Sequence, residues 1–168
     1  MNEHADTTPS PAAPTKGLIG HLATARALAD RIPDSFLLLV LRVCISIPFW
    51  RSGRAKADGF LGLQDLQVYL FADEYRPFGA IDLPFPGLMA HLALYMETLL
   101  PILLWIGLGT RFAALGLLAM TAVIITIYPG QWANEYIYWV PMLLVVLARG
   151  GGSWSVDHYL KPRLFGNG

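Results

Sequence analysis

Hydrophobic and polar positions divide the chain into stretches with different periods. Residues 1–16 are polar and rich in Pro, Ala and Thr. Such a composition cannot bury a core, and it predicts a disordered tail. In residues 17–33, Leu18, Leu22, Ala25, Leu28, Ala29 and Ile32 recur at helical spacing, opposite His21, Arg26, Asp30 and Arg31. That pattern predicts an amphipathic helix lying on a membrane surface, ended by Pro33, with Asp34 or Ser35 capping the next helix. Four apolar segments follow, at residues 35–53, 86–107, 112–128 and 136–148. A helix needs about 20 residues to cross the hydrocarbon. The first three segments suffice, and the fourth does so only if it starts near Trp132. None alternates as a barrel strand would, and only helices or closed barrels satisfy their backbone in lipid.

The expected fold is therefore all-α: a four-transmembrane-helix bundle over residues 34–160, with the amphipathic interfacial helix before it and a C-terminal tail at 161–168. The linker Gly107–Arg111 is short enough to make the second and third spans an antiparallel hairpin. In the long connection 54–85, Phe60, Leu63, Leu66 and Leu70 suggest a second interfacial helix.

Composition sharpens this picture. The 168 residues make one domain, 55% hydrophobic and 14% charged, with mean hydropathy +0.48. Soluble domains carry about a quarter charged residues, so this chain lacks the charge to cover a globule of its size. Twelve Lys and Arg balance twelve Asp and Glu, which leaves no basic excess to hold nucleic acid. The lone cysteine, Cys44, excludes an intrachain disulfide and a Cys-x-x-Cys redox pair. No apolar run or Ala-x-Ala site near the start predicts a cleaved leader. The flanks of the spans set an orientation. Lys16, Arg26, Arg31, Arg111, Arg149, Lys161 and Arg163 fall on one side, and Arg51, Arg54, Lys56 and Arg76 on the other. Seven against four places both termini in the cytoplasm.

Candidate chemistry centres on two charges within the spans, Arg42 and Glu97. A lone charge at mid-membrane costs about 2.5–3.5 kcal/mol or more, so each needs a partner or water. Counted along their helices at 1.5 Å per residue, the two lie at similar depth, and a direct or water-bridged salt bridge is expected. Such a pair serves either as a polar site for a proton, ion or headgroup, or as a packing contact. His91 is the one histidine within a span. A bis-histidine haem would need a second at matching depth, and no metal-ligand set is evident. A helix histidine hydrogen-bonded near the interface is its simpler role. Cys44 reads as a small buried hydrophobe. Arg51, Arg54 and Lys56, with Arg76 nearby, are either snorkelling anchors or contacts for an anionic headgroup or ligand.

These residues carry a family resemblance. Leu41-Arg42, then Phe49 through Gly53 and Lys56, resembles the first signature of the DoxX family of small bacterial membrane proteins. Glu97 followed by Gly107-Leu-Gly-Thr-Arg111 is similar to its second signature. Ala148-Arg149-Gly150 through Ser155-Val156-Asp157 resembles its Gly-rich, Ser-x-Asp ending. The resemblance covers residues 35–160, and the chain departs from it at Arg51 and Arg54, where many relatives are apolar. The family takes its name from a link to a thiosulfate:quinone oxidoreductase. Some relatives are tied to oxidative-stress complexes, and others accompany small secreted metal-stress peptides, a subgroup that the Tyr128-Pro-Gly-x-Trp132 stretch resembles. The resemblance implies a bacterial inner-membrane protein acting as an accessory to a redox or metal- and oxidative-stress system. Its partners would be the lipid bilayer, a protein of that system and a second copy of itself. The alternatives are a quinone-linked membrane oxidoreductase subunit and a small oligomeric transporter. No cofactor is evident in the residues; electron transfer would require a quinone or a partner subunit.

Overall fold

The structure, a computed structural model, describes residues 17, 20–23, 26, 30–73, 75, 82 and 84–165. The chain divides into two units, Met1–Pro33 and Asp34–Gly168. In the first, residues 17, 20–23 and 26 are helical, and Arg26 reaches Asp30 at 3.9 Å on the surface. The remainder of the expected interfacial helix, and the tail before it, lie outside the described residues.

The second unit opens with helix α1, Asp34–Lys56, which starts after Pro33 with an acidic residue in its first turn and ends with Arg54 and Lys56. Both charge placements favour the helix dipole. A two-stranded antiparallel hairpin follows: β1, Ala57–Asp58, pairs with β2, Gly62–Leu63, in the register Ala57↔Leu63 and Asp58↔Gly62. Helix α2, Asp65–Asp73, packs on α3 and buries Gln67 and Phe71. The helix expected from Phe60 onward therefore starts later, because Phe60 and Leu63 belong to the hairpin.

Helix α3, Pro86–Ile106, begins on a proline, whose missing N–H is no loss there. It ends at Gly107, whose φ of +73° is left-handed. The N–H groups of Gly107 and Leu108 both return to the Leu103 carbonyl, at 2.9 and 3.0 Å. Gly109 is left-handed too, and helix α4, Thr110–Ile127, follows at once. The expected hairpin of the second and third spans is present.

Among the described residues, three helices, α1, α3 and α4, are long and apolar enough to cross a membrane. Four were expected. After Ile127 the backbone passes through a 3-10 turn, Pro129–Gln131, and a π-helical turn, Trp132–Tyr136. Helix α5, Ile137–Arg149, then has 13 residues, short of the roughly 20 that a span needs. Pro129 ends α4, since its ring cannot continue that ladder, and the 3-10 and π turns take up the residues before α5. Helix α6, Val156–Phe165, ends the described chain and takes in residues 161–165, where the apolar pattern predicted a tail.

One core unites α1, α3, α4 and α5: Ile45 and Phe49, Leu100 and Leu104, Ala113, Ala114 and Leu117, Leu143 and Val146. Its alanines allow close approach of helices, as expected where lipid supplies no hydrophobic drive. At Gly53 a Cβ would lie 3.0 Å from the Glu97 carbonyl carbon and from Thr98 Oγ1, so α1 and α3 touch there. Apolar side chains such as Val43, Ile47, Leu99, Leu115 and Val123 face outward, the reverse of a soluble protein. Cys44 also faces outward, where a buried thiol was expected.

Candidate functional site: a buried ion pair and a backbone knot

Arg42 and Glu97 do not meet. Arg42, fully buried, donates from Nη1 to the Leu104 carbonyl at 3.2 Å and from Nη2 to the Trp154 carbonyl at 2.7 Å. Glu97 accepts at Oε2 from Lys56 Nζ, 2.7 Å away. Matching depth from α-carbon positions neglected side-chain direction. Helical side chains lean toward their own N-terminus, and α1 and α3 run antiparallel. Arg42 therefore leans toward the α3 C-terminus and Glu97 toward the α3 N-terminus. Leu104 stands seven residues beyond Glu97, about 10 Å along the axis.

At the Arg42 end, the contacts bind the chain to itself. Carbonyls in the last turn of a helix lack partners and carry the negative end of its dipole. Arg42 answers that need for α3. The Asp157 carboxylate answers the opposite need for α4, accepting the Gly109 N–H at 2.7 Å and the Thr110 N–H at 2.8 Å. The Asp157 N–H in turn binds the Gly107 carbonyl at 2.9 Å. Ser155 Oγ donates to the Gly152 carbonyl at 2.6 Å, and Ser35 Oγ accepts the Ser153 N–H at 3.0 Å. Arg111 closes the α5 end by donating to the Ala148 carbonyl at 3.1 Å. Gly107 belongs here for two reasons: its left-handed φ, and the Arg42 guanidinium and Ser155 against the position a Cβ would take. Burial alone would raise the Asp157 pKa. The hydrogen bonds from Thr110 and Gly109 and the field of Arg42 outweigh it, and hold the carboxyl below its ordinary value.

The Lys56 end is different. Lys56 Nζ also reaches Ser52 Oγ at 2.7 Å, and the side chains of Lys56 and Glu97 are 12% and 4% exposed. The pair forms one wall of a pocket of about 360 Å³ between α1, α2, α3 and α4. Its other walls are apolar and soft, among them Met96, Met120 and Phe71, with Tyr75 and Tyr128 beside them. Phe71 meets Tyr75 edge to face at 4.7 Å, and Tyr75 meets Tyr128 at 6.0 Å. Pro101 supplies no N–H to the Glu97 carbonyl one turn back, so the α3 ladder is interrupted beside the pair. A charged pair at one edge of an otherwise greasy pocket can orient an amphiphilic molecule by its polar end.

The remaining expected site residues scatter. His91 turns its Nδ1 to the Gly87 carbonyl of its own helix at 2.8 Å and is exposed. Arg54 donates from Nη1 to the Phe60 carbonyl at 2.5 Å and from Nη2 to the Gly59 carbonyl, and its guanidinium lies 5.8 Å from the Trp50 and Phe60 ring centres. It buttresses the hairpin. Arg51 is exposed, and Arg76 lies outside the described residues. The cluster of Arg51, Arg54 and Lys56 is thus divided, each on its own bearing. Sequence reasoning missed the Lys56–Glu97 pair, and the missed signal was side-chain direction: Lys56 leans down α1 toward the level that Glu97 reaches. Among the described residues, no three His, Cys, Asp or Glu side chains gather as a metal would need.

Three apolar helices long enough to span, an outward apolar surface and charges buried against backbone or each other define a small helical integral membrane protein. The family model of DoxX matches residues 37–130, more than half of the chain, and the chain belongs to the DoxX family. The match takes in α1, the Lys56–Glu97 pair, and the α3–α4 hairpin. No curated protein and no solved structure matches.

Proposed function

We propose that this protein is an accessory component of a redox or metal- and oxidative-stress system in the bacterial inner membrane, and that it receives a small lipophilic molecule beside Lys56 and Glu97. The observation that carries this reading is the ion pair itself. Two charges withdrawn from water within a membrane cost several kcal/mol in desolvation even when paired, and these two, besides bridging α1 and α3, open onto a pocket. The fitting guest has an apolar body for the methionine and aromatic walls and a hydrogen-bonding end for the pair. In this reading α5 with its preceding π turn is a fourth crossing, both termini are cytoplasmic, and the Lys56 end faces outward. Labelling of single cysteines at positions 2, 72 and 167 in a Cys44→Ala background checks that orientation; position 72 reached only from the cytoplasm overturns it.

A quinone-linked oxidoreductase subunit is the second reading, favoured by the aromatic side of the pocket, where a quinone ring can stack. Solvent extraction of the purified protein, with quinone quantified by mass spectrometry and a visible spectrum recorded, separates the two. The accessory reading expects no stoichiometric quinone and no chromophore. One quinone per chain, lost in Lys56→Met with Glu97→Gln, makes the protein an electron-transfer subunit.

A further inference from the structure

The larger cleft lies at the other end of the molecule, against the knot. It holds about 770 Å³ between the start of α4, the glycine turn 150–152 and α6. Arg111 of α4, Arg149 at the end of α5 and Lys161 of α6 all line it. Asp157 is the one carboxylate in the lining, and it is engaged by the Gly109 and Thr110 N–H groups. None of the three cations forms a salt bridge with a carboxylate among the described residues. Cations at helix ends normally spread around the interface as anchors. Here three elements, separated in sequence, bring theirs to one concavity, where an anion bound between them would lower their mutual repulsion.

The surroundings say what kind of anion. Phe112, in the lining, is 70% exposed, and Trp154 and Tyr159 in the neighbouring segments are 53% and 69% exposed. Aromatic side chains of this kind settle at the boundary between headgroups and acyl chains. The cleft also lies at the ends of α4 and α5, where the hydrocarbon gives way to headgroups. Positive charge inside and apolar surface alongside match a molecule that joins a phosphate to an acyl chain.

We propose that this cleft binds the phosphate of an anionic phospholipid, held by Arg111, Arg149 and Lys161, with its acyl chain along Phe112. The proposal rests on the membrane character of the fold and is independent of the Lys56–Glu97 pocket. Thermal melting of the full chain in nanodiscs of phosphatidylcholine, with and without phosphatidylglycerol, tests it. Phosphatidylglycerol should raise the melting temperature by several degrees, as any ligand selective for the folded state does. Arg149→Gln with Lys161→Gln should lose at least half of that shift while melting normally in phosphatidylcholine alone. Arg51→Gln, at the opposite end, should keep it. A full shift in the double variant, or an equal loss in Arg51→Gln, overturns the proposal, since either makes the effect one of bulk charge. Millimolar inorganic phosphate reproducing the shift without phosphatidylglycerol assigns the cleft to soluble phosphate and overturns the lipid. Native mass spectrometry of the unsubstituted protein does not depend on the variants folding. Phosphatidylglycerol should stay bound in preference to phosphatidylcholine, and equal retention of the two overturns the site.

Discussion

The two ends of the α1–α3 contact each bury a cation from the same helix, and they use it in opposite ways. Arg42 gives its hydrogen bonds to main-chain carbonyls of α3 and of the segment before α6. Lys56 gives its own to side chains, Glu97 and Ser52, at the edge of a pocket. A guanidinium that serves carbonyl dipoles sets where helices end and how segments join. An ammonium that serves a carboxylate keeps a compact polar group within reach of a guest. A buried charge in a membrane protein is therefore not a site merely by being buried; its acceptors decide.

The sharpest way to break that contrast is at Arg42. Arg42→Met strands the Leu104 carbonyl, the Trp154 carbonyl and the field around Asp157. Leaving those two carbonyls unpaired should cost about 1–3 kcal/mol each, read as loss of folded yield in detergent. Adding Glu97→Gln should not rescue it. Recovery in that double variant would mean that the two charges interact after all.

At the other end, either Lys56→Met or Glu97→Gln alone should cost about 1–3 kcal/mol by leaving a charged or polar group unpaired. The double variant should melt within about 1 kcal/mol of the original, because apolar replacement of an ion pair is often neutral. Thermal melting of the three variants checks this, and a double variant as weak as the sum of the singles would show the pair holding the fold together as Arg42 does.

Asp157→Asn keeps one acceptor oxygen but sets an amide NH2 against the other N–H, and should cost about 1–2 kcal/mol. Its folded pKa lies below its unfolded value, so its contribution is complete above about pH 4 and is lost as pH falls through the lower, folded value. Melting curves from pH 7 to pH 3 should steepen on the acid side in the original protein and flatten in Asp157→Asn. The smallest effect belongs to His91→Ala. Its exposed ring meets a carbonyl and the Tyr95 ring of its own helix, and a change within about 0.5 kcal/mol is expected.

Much of this arrangement was legible in the chain. The apolar runs located α1, α3 and α4, and the short linker Gly107–Arg111 marked the hairpin. The expected pairing of Arg42 with Glu97 failed because spacing along two helices gives the depth of α-carbons, whereas a long side chain carries its charge several ångströms toward its own N-terminus. The apolar run at 136–148 located α5, Ile137–Arg149, but hydropathy does not register the 3-10 and π turns that separate it from α4. The role of Asp157 was visible only as part of a motif, since its partners at Gly109 and Thr110 are 48 and 47 residues away. Nothing in the order of residues announces a cap supplied from so far along the chain.

The hydrogen bond from Arg42 to Trp154 spans 112 positions, and that separation has a meaning in time. Arg42 is synthesised and inserted with the first helix, well before its second acceptor exists. Through the making of α3, α4 and α5 it has Leu104 at most to bind, and Gly109 and Thr110 wait for Asp157 in the same way. Completion of the bundle therefore waits for the segment around Trp154 and Asp157, which latches helices made before it. A chain stopped at residue 150 would carry every apolar span and still be unfinished, with a charge left open in the bilayer as the mark of its incompleteness.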